Sequence, residues 1–209
     1  MKEMLKIESA ALRLGGRLLL SSFGLRVKQG EWVCLTGESG CGKTSLLRAV
    51  QGFLPLEAGQ VFVNGEKLGR HTVERIRGCT AYVPQELFLP VETVGEMVRI
   101  PFQLKANSGR RFAENELLEL WSLLGLERDL LRRRVVQLSG GQRQRVILSM
   151  AALLAKPLCL VDEPTSALDG ESVGRVVDLF RRMAVAGTAV LSVSHNRDFL
   201  DACDRVIRL

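Results

Sequence analysis

The segment GESGCGKT, residues Gly37 to Thr44, restricts the fold of this chain more than any other feature. It matches the pattern G-x-x-x-x-G-K-[ST] and follows the apolar segment EWVCLTG, which predicts a buried strand. After it, the residues from Lys43 to about Val50 predict a helix. A loop in this context wraps a polyphosphate with backbone N–H groups at the positive end of a helix. The motif therefore predicts a nucleotide-binding α/β protein.

The residue types of this loop indicate how a nucleotide is held. Gly40 and Gly42 let the backbone close around the phosphates, and Lys43 reaches the β and γ phosphates. Thr44 offers its hydroxyl to Mg²⁺, and Cys41 is interpreted as a spacer. The expected ligand is ATP or GTP. The residues expected to contact it in this segment are Gly37, Glu38, Ser39, Gly40, Cys41, Gly42, Lys43, Thr44 and Ser45.

Two adjacent carboxylates follow a second apolar segment, LCLVDEP. Asp162 and Glu163 lie at the carboxyl end of a predicted strand, where open α/β sheets bind their ligands. Phosphoryl transfer to water needs one acid to hold Mg²⁺ and a second group to orient or deprotonate the attacking water. We expect Asp162 in the first role and Glu163 in the second.

The order of predicted elements indicates an α/β fold. Apolar and polar positions alternate over residues 3–36, which predicts an antiparallel start. Strands and helices alternate after residue 139, which predicts a parallel sheet covered on both faces. Between them lies a predominantly helical stretch, interpreted as a subdomain inserted at about residues 90–138. We expect one domain over residues 1–209, with Trp121 in its core.

Composition excludes several classes of protein. The chain has 46% hydrophobic and 25% charged residues, which is ordinary for a globular protein and excludes disordered and fibrous classes. Five cysteines are scattered and never spaced as C-x-x-C, so neither a disulfide framework nor a zinc site is predicted. Glu3 and Glu8 interrupt the region that a signal peptide keeps apolar, and the longest apolar stretch is about half a membrane span. These features predict a cytoplasmic protein that neither crosses a membrane nor is secreted.

A net charge of +6 leaves nucleic acid, an anionic membrane surface and a nucleotide open as partners. The basic tract Arg132, Arg133 and Arg134 is interpreted as a solvated helix end, because no aromatic residues interleave with it.

A second glycine-containing turn, LSGGQRQR, opens another predicted helix at Leu138–Arg145 and is a second potential anion site. It resembles the signature of the ATP-binding cassette (ABC) family, and the resemblance extends over essentially the whole chain. The other elements that resemble this family are YVPQ with Gln85, LCLVDEPTSALD with Asp162, Glu163 and Asp169, and SVSH with His195. The resemblance implies a P-loop NTPase fold with a mostly parallel sheet, an N-terminal antiparallel β subdomain and an inserted helical subdomain.

The resemblance also implies a mechanism. Two copies of the chain form a two-fold dimer, in which each ATP lies between the phosphate loop of one copy and the signature of the other. Gln85 contacts magnesium and the attacking water, and Glu163 is the general base. His195 contacts the γ phosphate. The signature residues that serve the partner's ATP are Ser139, Gly141 and Gln142.

One position departs from the family pattern. ABC proteins often stack an aromatic residue on adenine about sixteen residues before the Gly-Glu pair that begins at Gly30, and Leu14 stands there instead. Because an apolar contact replaces only part of the stacking free energy, we expect weak selectivity between ATP and GTP.

We interpret the chain as the ATPase subunit of a transporter with separate membrane-spanning subunits, peripheral on the inner face of the cell membrane. A soluble ABC ATPase acting on DNA or ribosomes is the alternative, but the long insertions or second cassette of such proteins are not found in these 209 residues. A third hypothesis is a nucleotide sensor that does not hydrolyse ATP. The presence of Glu163 and His195, which the resemblance assigns to hydrolysis, argues against it. Residues 82–105 resemble small ATPases assigned to iron export and aluminium tolerance. No nucleic acid partner is expected.

Overall fold

The computed structural model describes residues 2–209. The strands are β1 (Glu3–Leu14), β2 (Arg17–Lys28), β3 (Trp32–Thr36), β4 (Ala58–Val63), β5 (Glu66–Lys67), β6 (Thr80–Val83), β7 (Leu158–Asp162), β8 (Ala189–Val193) and β9 (Arg205–Arg208). The α-helices are α1 (Lys43–Val50), α2 (Val73–Gly78), α3 (Val94–Gln103), α4 (Glu114–Leu124), α5 (Gly140–Leu153), α6 (Gly170–Val185) and α7 (Arg197–Ala202).

The strands form two sheets. One sheet is antiparallel in the order β2-β1-β4-β5, and the other is parallel in the order β6-β7-β8-β3-β9. All residues of β7 and β8 are buried, as expected for the centre of a parallel sheet with both faces covered. This arrangement confirms the predicted fold class. It brings the carboxyl ends of β3, β7 and β8 to one edge, where the loops that follow them meet.

The period-two alternation of β3 divides the core between the faces of the parallel sheet. Trp32 and Cys34 join the cluster that includes α4, α5 and α6, whereas Val33 and Leu35 join the cluster that includes α1 and the antiparallel sheet. Because β3 buries apolar side chains on both faces of the sheet, this strand and the loop that follows it are held firmly in place.

The helical stretch between β6 and α5 consists of α3, α4 and short 3₁₀ turns. Thr93 and Glu96 form a capping box at the start of α3, and Gly125 ends α4 in the left-handed conformation. Trp121 is fully buried, as predicted, and its indole N–H donates to Ser149 Oγ at 3.0 Å.

The structure differs from the sequence-based expectations in short elements. It contains β5, α2 and α7, none of which was predicted, because segments of two to six residues are too short to show a periodic pattern. The basic tract is exposed as predicted, but it follows a 3₁₀ turn over Arg128–Arg132 rather than an α-helix. Arg133 pairs with Asp129 and Arg134 with Glu92. Over residues 2–209, no helix combines the length and apolar character needed to span a bilayer.

Candidate functional site

A pocket of about 520 Å³ opens at the edge where β3, β7 and β8 end. Its walls combine the loop before α1, the acidic residues after β7, the histidine after β8 and a glutamine after β6. The predicted residues that line it are Ser39, Gly40, Gly42, Lys43, Thr44, Ser45, Gln85, Asp162, Glu163 and His195. The structure thus brings together residues from four separate segments of the chain.

The loop before α1 is shaped by glycines and by Lys43. Gly42 has a φ of 106°, which glycine adopts without strain, and it precedes α1 without any side-chain cap. The first-turn N–H groups of α1 therefore remain available to an anion. Lys43 is only 7% exposed, and its ammonium donates to the carbonyls of Gly37 and Glu38, both at 2.8 Å.

Three predicted residues of this segment do not line the pocket but contact Lys43 within the loop. Gly37 and Glu38 accept the hydrogen bonds from Lys43, and Cys41 Sγ lies 3.7 Å from Lys43 Nζ. Gly37 has a φ of 147°, and a Cβ there would lie 2.5 Å from the carbonyl oxygen of Leu209. These contacts indicate that the three residues hold the loop around the lysine.

Asp162 is the most deeply buried acid of the pocket, with 1% exposure. Burial raises the pKa of its carboxyl, and a hydrogen bond from Thr44 and the charges of Arg48 and Lys43 partly oppose that rise. Its Oδ1 is buried without a hydrogen-bond partner among residues 2–209. A buried carboxylate oxygen with no partner, beside a hydroxyl, is a suitable ligand for a hard divalent cation.

Glu163 has an unusual backbone. Its φ of 48° places it in the left-handed region, and its N–H donates to Val193 O on the neighbouring strand at 3.0 Å. This conformation directs the chain away from β7, and strained residues of this kind cluster at functional sites. His195 Nε2 lies 3.2 Å from Glu163 Oε1. Burial raises the pKa of Glu163, and the charge of His195 lowers it.

The signature residues lie outside this pocket. Ser139 precedes α5, and its Oγ accepts from the N–H of Gln142 at 3.1 Å. The Gln142 side chain accepts in return from the N–H of Ser139 at 3.0 Å. Gly141 lies against Ala167, where an added Cβ would be 3.1 Å from the carbonyl oxygen. A single chain therefore presents its signature separately from its phosphate loop.

Sequence reasoning missed Leu19, Ser166 and Val193, which also line the pocket. Leu19 lies on β2, and its Cβ is 3.0 Å from where a Cβ on Gly42 would stand. The signal for Ser166 was its place three residues after Glu163 in DEPTS. Leu14 does line the pocket, as expected from its alignment with the adenine-stacking position, and it is 51% exposed.

Comparisons with known families and proteins agree with this geometry. The family model described as "ABC transporter" matches residues 20–166. The chain is 36% identical to a Fe(3+) ions import ATP-binding protein, FbpC, of Streptomyces avermitilis, over 98% of this chain and 59% of that protein. It is 33% identical to the lipoprotein-releasing system ATP-binding protein LolD of Aquifex aeolicus, over 100% of this chain and 95% of that protein. The chain thus spans about three fifths of the length of FbpC.

Solved structures show the same fold. A bacterial ABC transporter cassette solved as a dimer superposes with a TM-score of 0.85 at 28% identity, covering 99% of this chain and 94% of that one. A dimeric cassette in a post-hydrolysis state, bound to ADP and Pi, superposes with a TM-score of 0.84 at 28% identity, with the same coverage of both chains. The expected likeness to iron-export ATPases stays a prediction.

Proposed function

The chain belongs to the ABC transporter family as an ATP-binding domain, and on this premise we propose that it binds and hydrolyses ATP as a subunit of a transporter. The spanning subunits of that transporter are separate chains. One observation carries the proposal: the phosphate loop, the buried Asp162, the partly buried Glu163, His195 and Gln85 line a single pocket at the ends of parallel strands. This is where open α/β sheets bind nucleotides.

The phosphates of ATP bind at the loop before α1. The uncapped N–H groups of α1 and the loop backbone donate to the phosphate oxygens, and Lys43 neutralises their charge. Lys43 already lies within the loop, held by two carbonyls, so little side-chain entropy is lost when it engages a phosphate.

Mg²⁺ fits the same pocket. Thr44, Asp162 and Gln85 are the residues that would hold it, and the partnerless Oδ1 of Asp162 is the observation that supports this assignment. When bound, Mg²⁺ neutralises charge on the phosphates. This assignment of Mg²⁺ also accounts for a carboxylate kept at 1% exposure without a hydrogen bond on one oxygen.

Hydrolysis needs a base for the attacking water, and we assign that role to Glu163. Burial raises its pKa, which makes it a better proton acceptor than an exposed glutamate. His195, 3.2 Å from Glu163 Oε1, orients the carboxylate and contacts the γ phosphate. Gln85 also lines the pocket and contacts the water.

The active unit is an ATP-dependent homodimer with two identical composite sites. The position of the signature supports this, because Ser139 and Gly140 are exposed at the start of α5 and do not line the pocket of their own chain. Ser139 Oγ accepts from Gln142 N–H and keeps its own proton free to donate to the partner's ATP, with Gly141 and Gln142 beside it.

The transmembrane partner docks near Gln85. A groove of about 240 Å³ lies between residues 85–88 and the first half of α5, and Phe88 beside it is 76% exposed. An exposed aromatic ring next to a groove is typical of protein interfaces. The helical insertion, at about residues 90–138 of a single domain over residues 1–209, transmits dimer closure to that partner. The dimer therefore works at the inner face of the cell membrane.

The test compares wild type with Glu163→Gln in the presence and absence of Mg²⁺. Loss of the general base lowers ATP turnover roughly 10²- to 10⁴-fold, while ATP binding is retained and the variant accumulates as an ATP-dependent dimer. Glu171→Gln is the matched control, because Glu171 is an exposed acid on α6 that pairs with Arg175. Equal turnover by Glu163→Gln and Glu171→Gln would contradict the proposal, as would wild-type turnover independent of Mg²⁺.

The adenine ring of ATP contacts Leu14 and Leu19, two aliphatic side chains on the β1–β2 hairpin. We expect ATP and GTP to be hydrolysed with similar efficiency. Leu14→Tyr introduces a stacking ring, whose whole contribution is about 1 to 3 kcal/mol; because Leu14 already supplies part of it, ATP binding tightens by less than the corresponding factor of roughly 150. Leu18→Tyr is the control, since Leu18 is exposed on the same hairpin but does not line the pocket. A strong preference of the wild type for ATP would contradict this expectation.

A further inference from the structure

Two loops carry the residues assigned to hydrolysis. Glu163 opens the loop after β7, and His195 lies in the loop after β8. The two side chains meet at 3.2 Å although 32 positions separate them in the sequence. Strands β7 and β8 are neighbours in the sheet, and their pairing ends at Asp162 and Val193. Beyond these residues, the distance between the two loops depends on the hydrogen bonds that join them.

Besides the contacts of the Glu163 carboxylate with the side chain and backbone N–H of His195, two hydrogen bonds join the segments that follow β7 and β8. The N–H of Glu163 donates to Val193 O at 3.0 Å, which continues the ladder between the strands. Beyond it, the hydroxyls of Thr165 and Ser194 share a hydrogen bond of 3.1 Å. Both residues are buried, so this bond is shielded from competing water.

Ser194 is itself anchored. Its N–H donates to Leu35 O on β3 at 3.2 Å, and its Oγ accepts from the N–H of Asn196 at 3.2 Å. Thr165 therefore ties the loop after β7 to a residue that is itself fixed to β3. Glu163 lies two residues before Thr165 with a left-handed backbone, a conformation that relaxes unless its surroundings hold it.

We propose that the buried hydroxyl pair of Thr165 and Ser194 positions Glu163 against His195 for hydrolysis. Neither residue lines the pocket, so both act through the two loops and not by contact with ATP. The hydroxyl pair sets the distance between the base and the histidine, and its loss lets the two loops separate. This inference rests on the proposed ATPase activity, but the contact it concerns is measurable without that activity.

The kinetic test uses Thr165→Val and Ser194→Ala. Each removes one hydroxyl, so the expected effect is a fall in kcat of roughly 10- to 100-fold, because small misplacements of reacting groups cost this much. The KM for ATP stays unchanged. Thr165→Ser keeps the hydroxyl and restores kcat. The double variant loses no more than either single variant, because both changes break the same bond.

Two control variants separate positioning from general stability. Thr80→Val removes a buried hydroxyl that donates to Ile76 O at 2.7 Å, and Ser192→Ala removes one that accepts from the indole N–H of Trp32 at 3.0 Å. Both destabilise the fold, and neither lowers kcat. If the controls reduce kcat as strongly as Thr165→Val and Ser194→Ala do, the pair has only a structural role and the proposal is overturned.

A spectroscopic readout is independent of turnover. The chain has two histidines, so the ring Cε1–Hε1 signals of His195 and His71 are assigned by substitution. Thr165→Val shifts the His195 signal and leaves that of exposed His71 in place, whereas Thr80→Val shifts neither. An unmoved His195 signal in Thr165→Val overturns the proposal. A moved signal in a protein whose wild type does not hydrolyse ATP supports the positioning and refutes the ATPase assignment.

Discussion

Glycines lie at the starts of both α1 and α5, yet the two helices differ in what their first N–H groups bind. Gly42 precedes α1 with no side-chain cap, so the N–H groups there await a ligand. Ser139 precedes α5 and forms a capping box with Gln142, so one N–H of that helix is bound by its own chain. The difference indicates that α1 binds an anion with its backbone, whereas α5 offers a serine hydroxyl.

The starts of the two helices also differ in burial. The start of α1 lies in a recess with Lys43 and Asp162 buried beside it, where electrostatic interactions are strong. The start of α5 is exposed and has no buried charge of its own in the turn. In the proposed mechanism, the α1 turn holds a polyphosphate within one chain, and the α5 turn contributes fully only when a second chain brings its nucleotide.

Among changes at the two helix starts, the largest effect on turnover is expected from Ser139→Ala. Loss of a donor aimed at transferring phosphate lowers dimer ATP turnover roughly 100-fold, while binding of ATP by a single chain is unchanged. The matched control is Thr93→Ala, which removes the equivalent cap of α3 and costs a similar stability of about 1 kcal/mol. If Ser139→Ala and Thr93→Ala lose turnover equally, Ser139 contributes only by capping α5. The proposed difference between α1 and α5 is then wrong.

A smaller effect is expected at the glycines. Gly42→Ala imposes a side chain on a φ of 106° and presses on Leu19, 3.0 Å away, which costs about 1 to 3 kcal/mol and weakens ATP binding roughly 5- to 150-fold. Gly140→Ala places a Cβ at an ordinary 3.5 Å from Ala167 Cβ. Titration with a fluorescent ATP analogue should show weaker binding only for Gly42→Ala. Equal binding by both variants would remove the distinction.

The smallest effect concerns stability. Burial raises the pKa of Asp162, so the free energy of unfolding falls as pH rises from the ordinary value of 3.8 through the raised one. Asp162→Asn removes this loss and raises the free energy of unfolding at neutral pH, although Mg²⁺-dependent turnover is lost. Denaturant unfolding at several pH values measures it.

The pKa of Asp169, near the signature, shifts in the opposite direction to that of Asp162. It caps α6 by accepting from Ser172 N–H at 2.8 Å, and that bond holds its pKa below the ordinary value. Its contribution to stability is present above pH 3.8 and is lost as pH falls through the lowered pKa. Asp169→Asn therefore lowers stability at neutral pH. A stabilising Asp169→Asn or a destabilising Asp162→Asn would contradict the assigned environments.

Sequence reasoning predicted the long elements and the separate motifs well. The strand before Gly37 and the helix Lys43–Val50 were predicted at their observed places, because the phosphate-loop motif marks both boundaries. The short helices α2 and α7 were missed, since six residues show less than two turns of periodicity. Leu19 was missed because hairpin register, and not spacing along the chain, brings it beside Gly42.

The sequence by itself determined which chemical groups are available and which elements carry them, because glycine spacing, apolar periodicity and adjacent acids are local properties. The phosphate loop, Asp162 and Glu163 were predicted in this way, and the signature from its resemblance to the ABC family. Only the tertiary structure decided how those groups face one another. The partnerless Oδ1 of Asp162 and the bond between Thr165 and Ser194 depend on how β7 and β8 pack side by side. Contacts between residues far apart in the chain arise from burial of the whole core, and local spacing does not encode them.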